Sequence, residues 1–349
     1  MKNKQKYMLM FSLIASIFIF LGCTANKDVN NETISENRNN IFDESIGKIS
    51  AWAAYWNLDV DEEVSTLGSQ LGSVSYFEAY FDNKYEIIIP DELLKYFNET
   101  KSENYEKYIT FVNDVKKDDN KFSLKDINLL KEILSDSELQ NKYVNDITSI
   151  AINNGFDGIE IDFEGIKNNI ELWNKYIEFI NKLYYYCEKS NLKLRIILEP
   201  NTPIEDINFG EGPVYVMMCY NLHGSSTKPG EKANPEFINN LIDKMEKVPG
   251  TKEFAVASGG FDWDENGKTT SVDEQKAEEL LEKYKSEKKR DSTSGCIYFK
   301  YIDESNIKHE VWYADKDTLN KWMKVISERG HKVSLWRLGG NKFWLVNIN

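Results

Sequence analysis

Short apolar runs alternate with longer amphipathic ones from about residue 49 to residue 341. The short runs predict strands over 49–56 (ISAWAAYW), 73–81, 108–114, 156–164, 192–200, 214–221, 253–261 and 332–339. Helical spacing fills most of the gaps. In IELWNKYIEFINKLYYYCEKSN the apolar residues Leu172, Tyr176, Ile177, Ile180 and Leu183 recur at the period of one helix face. The stretch 123–154 predicts two helices, and DKDTLNKWMKVISERG predicts one that stops near Gly330. Eight strands mostly separated by helices predict an α/β protein, a (β/α)8 TIM barrel. An open doubly wound sheet is the competing arrangement, but no GxGxxG or phosphate loop follows an early strand. Residues 294–315 interrupt the alternation and predict two extra strands, a small β insertion after strand seven.

The N-terminus follows another pattern. Lys2, Lys4 and Lys6 precede an apolar run from Met8 to Leu21 that is short for a membrane span of ~20 residues. It ends in Phe20-Leu21-Gly22-Cys23, which resembles a bacterial lipobox, although Phe20 and Leu21 are bulkier than that pattern prefers. Residues 1–22 are expected to be a lipoprotein signal peptide, with Cys23 as the lipidated residue; an uncleaved anchor is the alternative. Either places the protein outside the cytoplasm, on the cell membrane. Residues 23–45 are polar and Asn-rich and read as a flexible tether, leaving 46–349 for the barrel.

Composition narrows the partners. Hydrophobic residues make up 41% and aromatics 13%, enough for a sizeable core, and the formal charge is −14. Removing residues 1–22 takes away three Lys and no acid, bringing it to about −17. So acidic a surface argues against nucleic acid and anionic lipid. Cys187, Cys219 and Cys296 sit in helix-like or strand-like runs and are expected to be buried thiols. His223, His309 and His331 are scattered, with no HExxH or CxxC spacing, so no metal site and no cofactor are expected. His223 is expected to be a solvent-exposed loop residue.

The stretch GFDGIEIDFEG carries the chemistry. Asp157, Glu160, Asp162 and Glu164 fall within eight residues of what reads as a buried strand. Side chains alternate along a strand, so Ile159, Ile161 and Phe163 share one face and Glu160, Asp162 and Glu164 the other. In a barrel the apolar face packs against helices, and the acids climb inward toward the carboxyl end, about 7 Å apart at Cα. Repulsion and partial burial then raise at least one pKa and make Glu164 a proton donor near neutral pH. A solvated edge strand is the bland alternative; the flanking Gly155 and Gly158 and the large apolar residues speak against it.

DGIEIDFE resembles the DGxDxDxE signature of glycoside hydrolase family 18, the chitinase-like hydrolases. Asp157, Gly158, Asp162 and Glu164 match, and Glu160 stands where the family usually has Asp. MMCYNLHG resembles the family's Met-x-Tyr-Asp segment, with Met218 and Tyr220 matching and Asn221 replacing the Asp, and VSLWRLGG resembles its closing strand, with Trp336. The resemblance spans about residues 49–341 and is nearest in flavour to bacterial spore-cortex N-acetylglucosaminidases. It implies a retaining mechanism assisted by the substrate's own acetamido group. Glu164 would be the acid/base. Asp162 and Tyr220 would hold the acetamido group, and Glu160 would hold Asp162 through a shared proton. Trp336 would lie under the sugar, with Met218 and Asn221 beside it. Tyr55 and Trp56 close the first strand, as sugar contacts or as core aromatics. Trp312 and Tyr313 are expected to pack.

Three functions fit: an N-acetylglucosaminidase acting on peptidoglycan or its fragments, the same chemistry on chitin or N-linked glycans, and a catalytically silent sugar-binding barrel. The partner implied is an N-acetylhexosamine glycan, bound by a monomer. YITFVND lacks the Ser-x-Gly-Gly pattern many chitinases carry on strand three, which argues against a conventional processive chitinase.

Overall fold

The computed structural model describes residues 41–119 and 121–342. The expected signal peptide, Cys23 and most of the tether lie outside them. The fold begins earlier than Ile46. Ile41 and Phe42 are buried, and their backbone N–H groups donate to Gln70 Oε1 at 2.7 and 3.1 Å. Two apolar side chains at the end of an otherwise polar stretch are enough to dock it.

Among the described residues, eight parallel strands close a barrel. They are Ile49–Ala54, Leu71–Asp82, Glu106–Lys116, Gly158–Asp162, Lys193–Leu198, Val214–Met218, Lys252–Ala257 and Lys332–Trp336. Each pairs with the next, and the eighth closes on the first with Ile49 opposite Val333. The chain between the fifth and sixth strands makes a single 3-10 turn, Ile204–Asp206, where an α-helix would ordinarily stand.

The expected alternation on the fourth strand sets the layers. Ile159, Ile161 and Phe163 are buried in the outer core, and Phe163 packs on Tyr176 and Phe179 of helix Ile170–Lys189 at ring distances of 5.7 and 6.2 Å. Helix Ser137–Asn154 precedes that strand. Asp136 caps its first turn through the N–H groups of Glu138 and Leu139, and Gly155 ends it at φ 85°. Cys187, Cys219 and Cys296 are buried free thiols.

The insertion is larger than the sequence suggests. The run 253–261 is two strands broken at Ser258, whose N–H donates to Trp336 O at 2.7 Å as the last barrel bond. Gly259 has φ 61°, and a Cβ on Gly260 would lie 1.7 Å from Trp312 O, so the glycine pair lets the chain swing into a second sheet. That antiparallel sheet runs in the order Thr269–Val272, Gly259–Asp264, Lys308–Ala314, Ile297–Ile302, Lys289–Arg290. It buries Phe299, Val311 and Tyr313 against helix Glu274–Lys283. Trp312 stacks on Tyr298 at 4.6 Å, so both aromatics of this strand pack, as expected.

Candidate active site

The acidic row rises from a sealed interior to an open mouth. Glu160 is fully buried, Asp162 is 8% exposed, and the side chain of Glu164 is 17% exposed. Each step changes what surrounds the carboxyl group.

Glu160 is fully buried and makes no hydrogen bond to Asp162. Its two oxygens are taken up deep in the barrel. Arg195 Nε donates to Oε2 at 2.7 Å and Ser75 Oγ at 3.1 Å, while Thr110 Oγ1 donates to Oε1 at 2.7 Å together with Trp52 Nε1. Arg195 also donates to Glu253 Oε2 at 2.6 Å, with Ser50 and Ser334 closing the network. The extra methylene relative to Asp carries the carboxylate toward a cation on the neighbouring strand. Buried ions need such a partner and full hydrogen bonding.

Asp162 ends the fourth strand. Its Oδ1 is buried and has no hydrogen-bond partner among the described residues. Burial first, then the negative charges of Glu164 and Glu160, push its carboxyl well above the usual carboxylate range. Tyr220, beyond the sixth strand, is 9% exposed and feels the charges of Asp162, Glu164 and Glu160. Met218 is buried in the cluster that lines the barrel interior with Tyr220, Trp52, Phe77 and Trp336. Asn221 follows in the left-handed conformation, φ 64°, and is exposed.

Glu164 sits two residues beyond the strand, in a loop fastened to the third strand. Its N–H donates to Asn113 Oδ1 at 2.8 Å, and Asn113 Nδ2 donates back to its carbonyl at 3.0 Å. Its carboxylate pairs with Lys125, whose ammonium also stands 3.6 Å from Glu199 Oε1. Glu199 Oε2 accepts the Gly165 N–H at 2.8 Å. Burial raises the Glu164 carboxyl, Lys125 pulls it back and Glu199 pushes it up, leaving it at about 7. A group with that value gives and takes protons near neutrality.

Aromatic rings form the rest of the mouth. Trp336, half-buried at the end of the eighth strand, lies 4.8 Å from Phe77 and 5.8 Å from Trp52 between ring centroids. Tyr55 packs edge-on against Trp56 at 5.2 Å, and Trp56 is 50% exposed. Asp157 and Gly158 lie at the opposite end of the strand. Lys107 N donates to Asp157 Oδ2 at 2.8 Å, and a Cβ on Gly158 would come within 2.4 Å of the Tyr108 ring, so both serve strand packing. His223 is half-buried against Gly230.

Several site residues carry no motif. Glu78 on the second strand is buried, and burial first, then Asp114 and Glu164, raise its carboxyl to about 8. Asn113, Asp114 and Glu199 lie at or just past the carboxyl ends of barrel strands, a position that marks them once the strands are assigned. Lys125, in a loop, has no such signal.

Comparison with protein-family profiles found no match. Among curated sequences, the chain is 23% identical over 230 residues to the uncharacterized glycosylase YvbX of Bacillus subtilis, covering 62% of this chain and 64% of that one. It is 22% identical over 239 residues to the cortical fragment-lytic enzyme of Bacillus anthracis, covering 63% and 53%. The chain thus spans between half and two thirds of the length of these relatives. The spore cortex-lytic enzyme SleL of Bacillus cereus superposes with a TM-score of 0.70 at 20% identity, over 86% of this chain and 73% of that one. A chitinase from Chromobacterium violaceum also gives 0.70, at 16% identity, over 86% and 97%. The chain therefore has the (β/α)8 barrel fold of these solved enzymes, and its similarity to the Bacillus glycosylase and cortex-lytic proteins fits the resemblance to glycoside hydrolase family 18 seen on its fourth strand.

Proposed function

We propose that the protein is a retaining glycosidase of β-linked N-acetylhexosamine glycans that acts on peptidoglycan or its fragments. The observation that carries this reading is the orphaned, buried Oδ1 of Asp162 beside Glu164 and Tyr220. A buried polar atom without a partner is costly, and the N–H of a substrate acetamido group supplies the missing donor. In this reading Asp162 orients the acetamido group and stabilises the positive charge that develops on it. Tyr220 steadies the same group from the sixth strand. Glu164 protonates the glycosidic oxygen and then activates water. Trp336 offers a flat apolar face under the ring, with Met218, Asn221 and Tyr55 around it. Glu160 acts on Asp162 through its charge rather than through a shared proton. The chemistry requires no cofactor, since the substrate supplies the nucleophile.

The names of the relatives, cortical fragment-lytic enzyme and spore cortex-lytic enzyme, support a cell-wall glycan. A lipid at Cys23 would hold the monomeric barrel on the outer face of the cell membrane, beside that wall. The test is to digest purified peptidoglycan and chitin oligosaccharides side by side and identify the new reducing ends. GlcNAc-ended peptidoglycan fragments with chitin untouched are the expected result. Cleavage of chitin alone would make the protein a chitinase, and cleavage of neither would leave a sugar-binding barrel.

A further inference from the structure

Glu164 and Glu199 are two carboxylates just past the ends of the fourth and fifth strands that share one cation. Glu164 is fixed through its backbone by Asn113, and Glu199 is fixed by the N–H of Gly165, the next residue along. Lys125 stands between them, paired with Glu164 and 3.6 Å from Glu199 Oε1. The lysine is itself anchored at its backbone, where its N–H donates to Asp114 Oδ1 at 2.7 Å with φ 52°. Its side chain is 48% exposed.

One ammonium between two tethered carboxylates has two resting places. With Glu164 charged, the close pair with Glu164 is favoured. With Glu164 neutral, Glu199 holds the nearer full charge, and a shift of about 1 Å completes that pair. An acid/base needs both states in turn, neutral before the glycosidic bond breaks and anionic after. A cation confined to Glu164 would oppose its protonation, and a missing cation would leave the anion uncompensated.

Resting on the assignment of Glu164 as acid/base, we infer that Lys125 and Glu199 are its positioning residues, with the ammonium on Glu164 when that group is charged and on Glu199 when it is protonated. The proton itself passes from Glu164 to the leaving oxygen and returns from the attacking water. The other titratable groups that act with Glu164 are Asp162 at the end of the fourth strand, Glu78 from the second and Tyr220 beyond the sixth, while Asp114 of the third strand faces Lys125. Burial raises Glu164, and Lys125 and Glu199 then act on it with opposite signs.

The test is the pH profile of kcat/KM on a GlcNAc-containing glycan for the wild type, Lys125→Met, Lys125→Arg and Glu199→Gln. Lys125→Met moves the basic limb up by roughly one pH unit or more. Glu199→Gln, which leaves the lysine only Glu164, moves it down, and Lys125→Arg returns it toward the wild type. Limbs that move the same way, or activity lost with the limbs unmoved, would overturn the inference. A readout without turnover separates it from the function reading. The Glu164 carboxyl resonance of protein carrying 13C-labelled glutamate, identified by its loss in Glu164→Gln, is titrated in the same variants. Opposite shifts there with no hydrolysis by the wild type would sustain the shared cation and sink the glycosidase. An unmoved resonance would sink the shared cation.

Discussion

Glu160 and Arg195 are cross-strand partners on the fourth and fifth barrel strands, 2.7 Å apart, and neither reaches solvent. Glu253 completes the group from the seventh strand. Breaking a buried pair by deleting one ion strands the others. Arg195→Met, which leaves Glu160 and Glu253 facing a neutral side chain, is expected to lower stability by roughly 3–5 kcal/mol in urea unfolding. Glu160→Asp restores the family's usual residue, yet here it is expected to be destabilising, because the shorter acid cannot meet both Arg195 and Trp52. Equal stability of that variant would show the extra methylene to be idle.

Glu164 and Asp162 divide the chemistry in the proposed mechanism. Glu164→Gln is expected to lower kcat on the order of 10²–10⁴-fold, while the affinity for a GlcNAc oligosaccharide, measured by calorimetry, changes only a few-fold. The wild-type rate should fall as pH rises through about 7, where the acid loses its proton. A rate constant through that range would remove Glu164 from the role.

Glu78 offers a stability prediction with a definite sign. Burial lifts its carboxyl to about 8, above the ordinary unfolded value of about 4.3. A carboxyl raised in the folded state is neutral in both states below about pH 4 and increasingly destabilising up to about pH 8. Glu78→Gln should therefore raise Tm at pH 9 and leave it little changed at pH 4. The opposite order would mean that Glu78 has a stabilising partner.

Two tryptophans separate binding from packing. Trp322 is fully buried with its Nε1 donating to Ser294 O at 2.8 Å, and Trp322→Ala should cost about 3–5 kcal/mol of stability. Trp336 is half-buried at the mouth. Trp336→Leu should raise KM several-fold, in line with stacking of about 0.5–1.5 kcal/mol, with a smaller loss in Tm. If the two variants behaved alike, Trp336 would be a core residue.

The acidic row was legible because alternation is rigid. Once Ile159, Ile161 and Phe163 face the helices, Glu160 and Asp162 have nowhere to point but inward. The fate of Glu160 was not legible, because its partner Arg195 lies 35 residues away and only the strand register brings them together. The same holds for Lys125, which meets Glu164 across 39 residues through a loop. The run 253–261 misled because strand propensity is continuous through Ser258, while the change of sheet rests on two glycines and one hydrogen bond. Ile41 and Phe42 were hidden by their polar neighbours.

Below Asp162 the barrel is filled solid: Glu160, Arg195, Thr110, Ser75 and Ser334 are essentially without exposure. Glu164, the more exposed member of the acid pair, then marks the side that water and protons reach. A sugar ring laid across the mouth would act as a stopper, and the number of protons on Asp162 and Glu164 would be set at the instant of docking. Acidity of the medium would then govern which protein molecules capture a glycan productively. It would have little hold on the bond-breaking steps until the products leave.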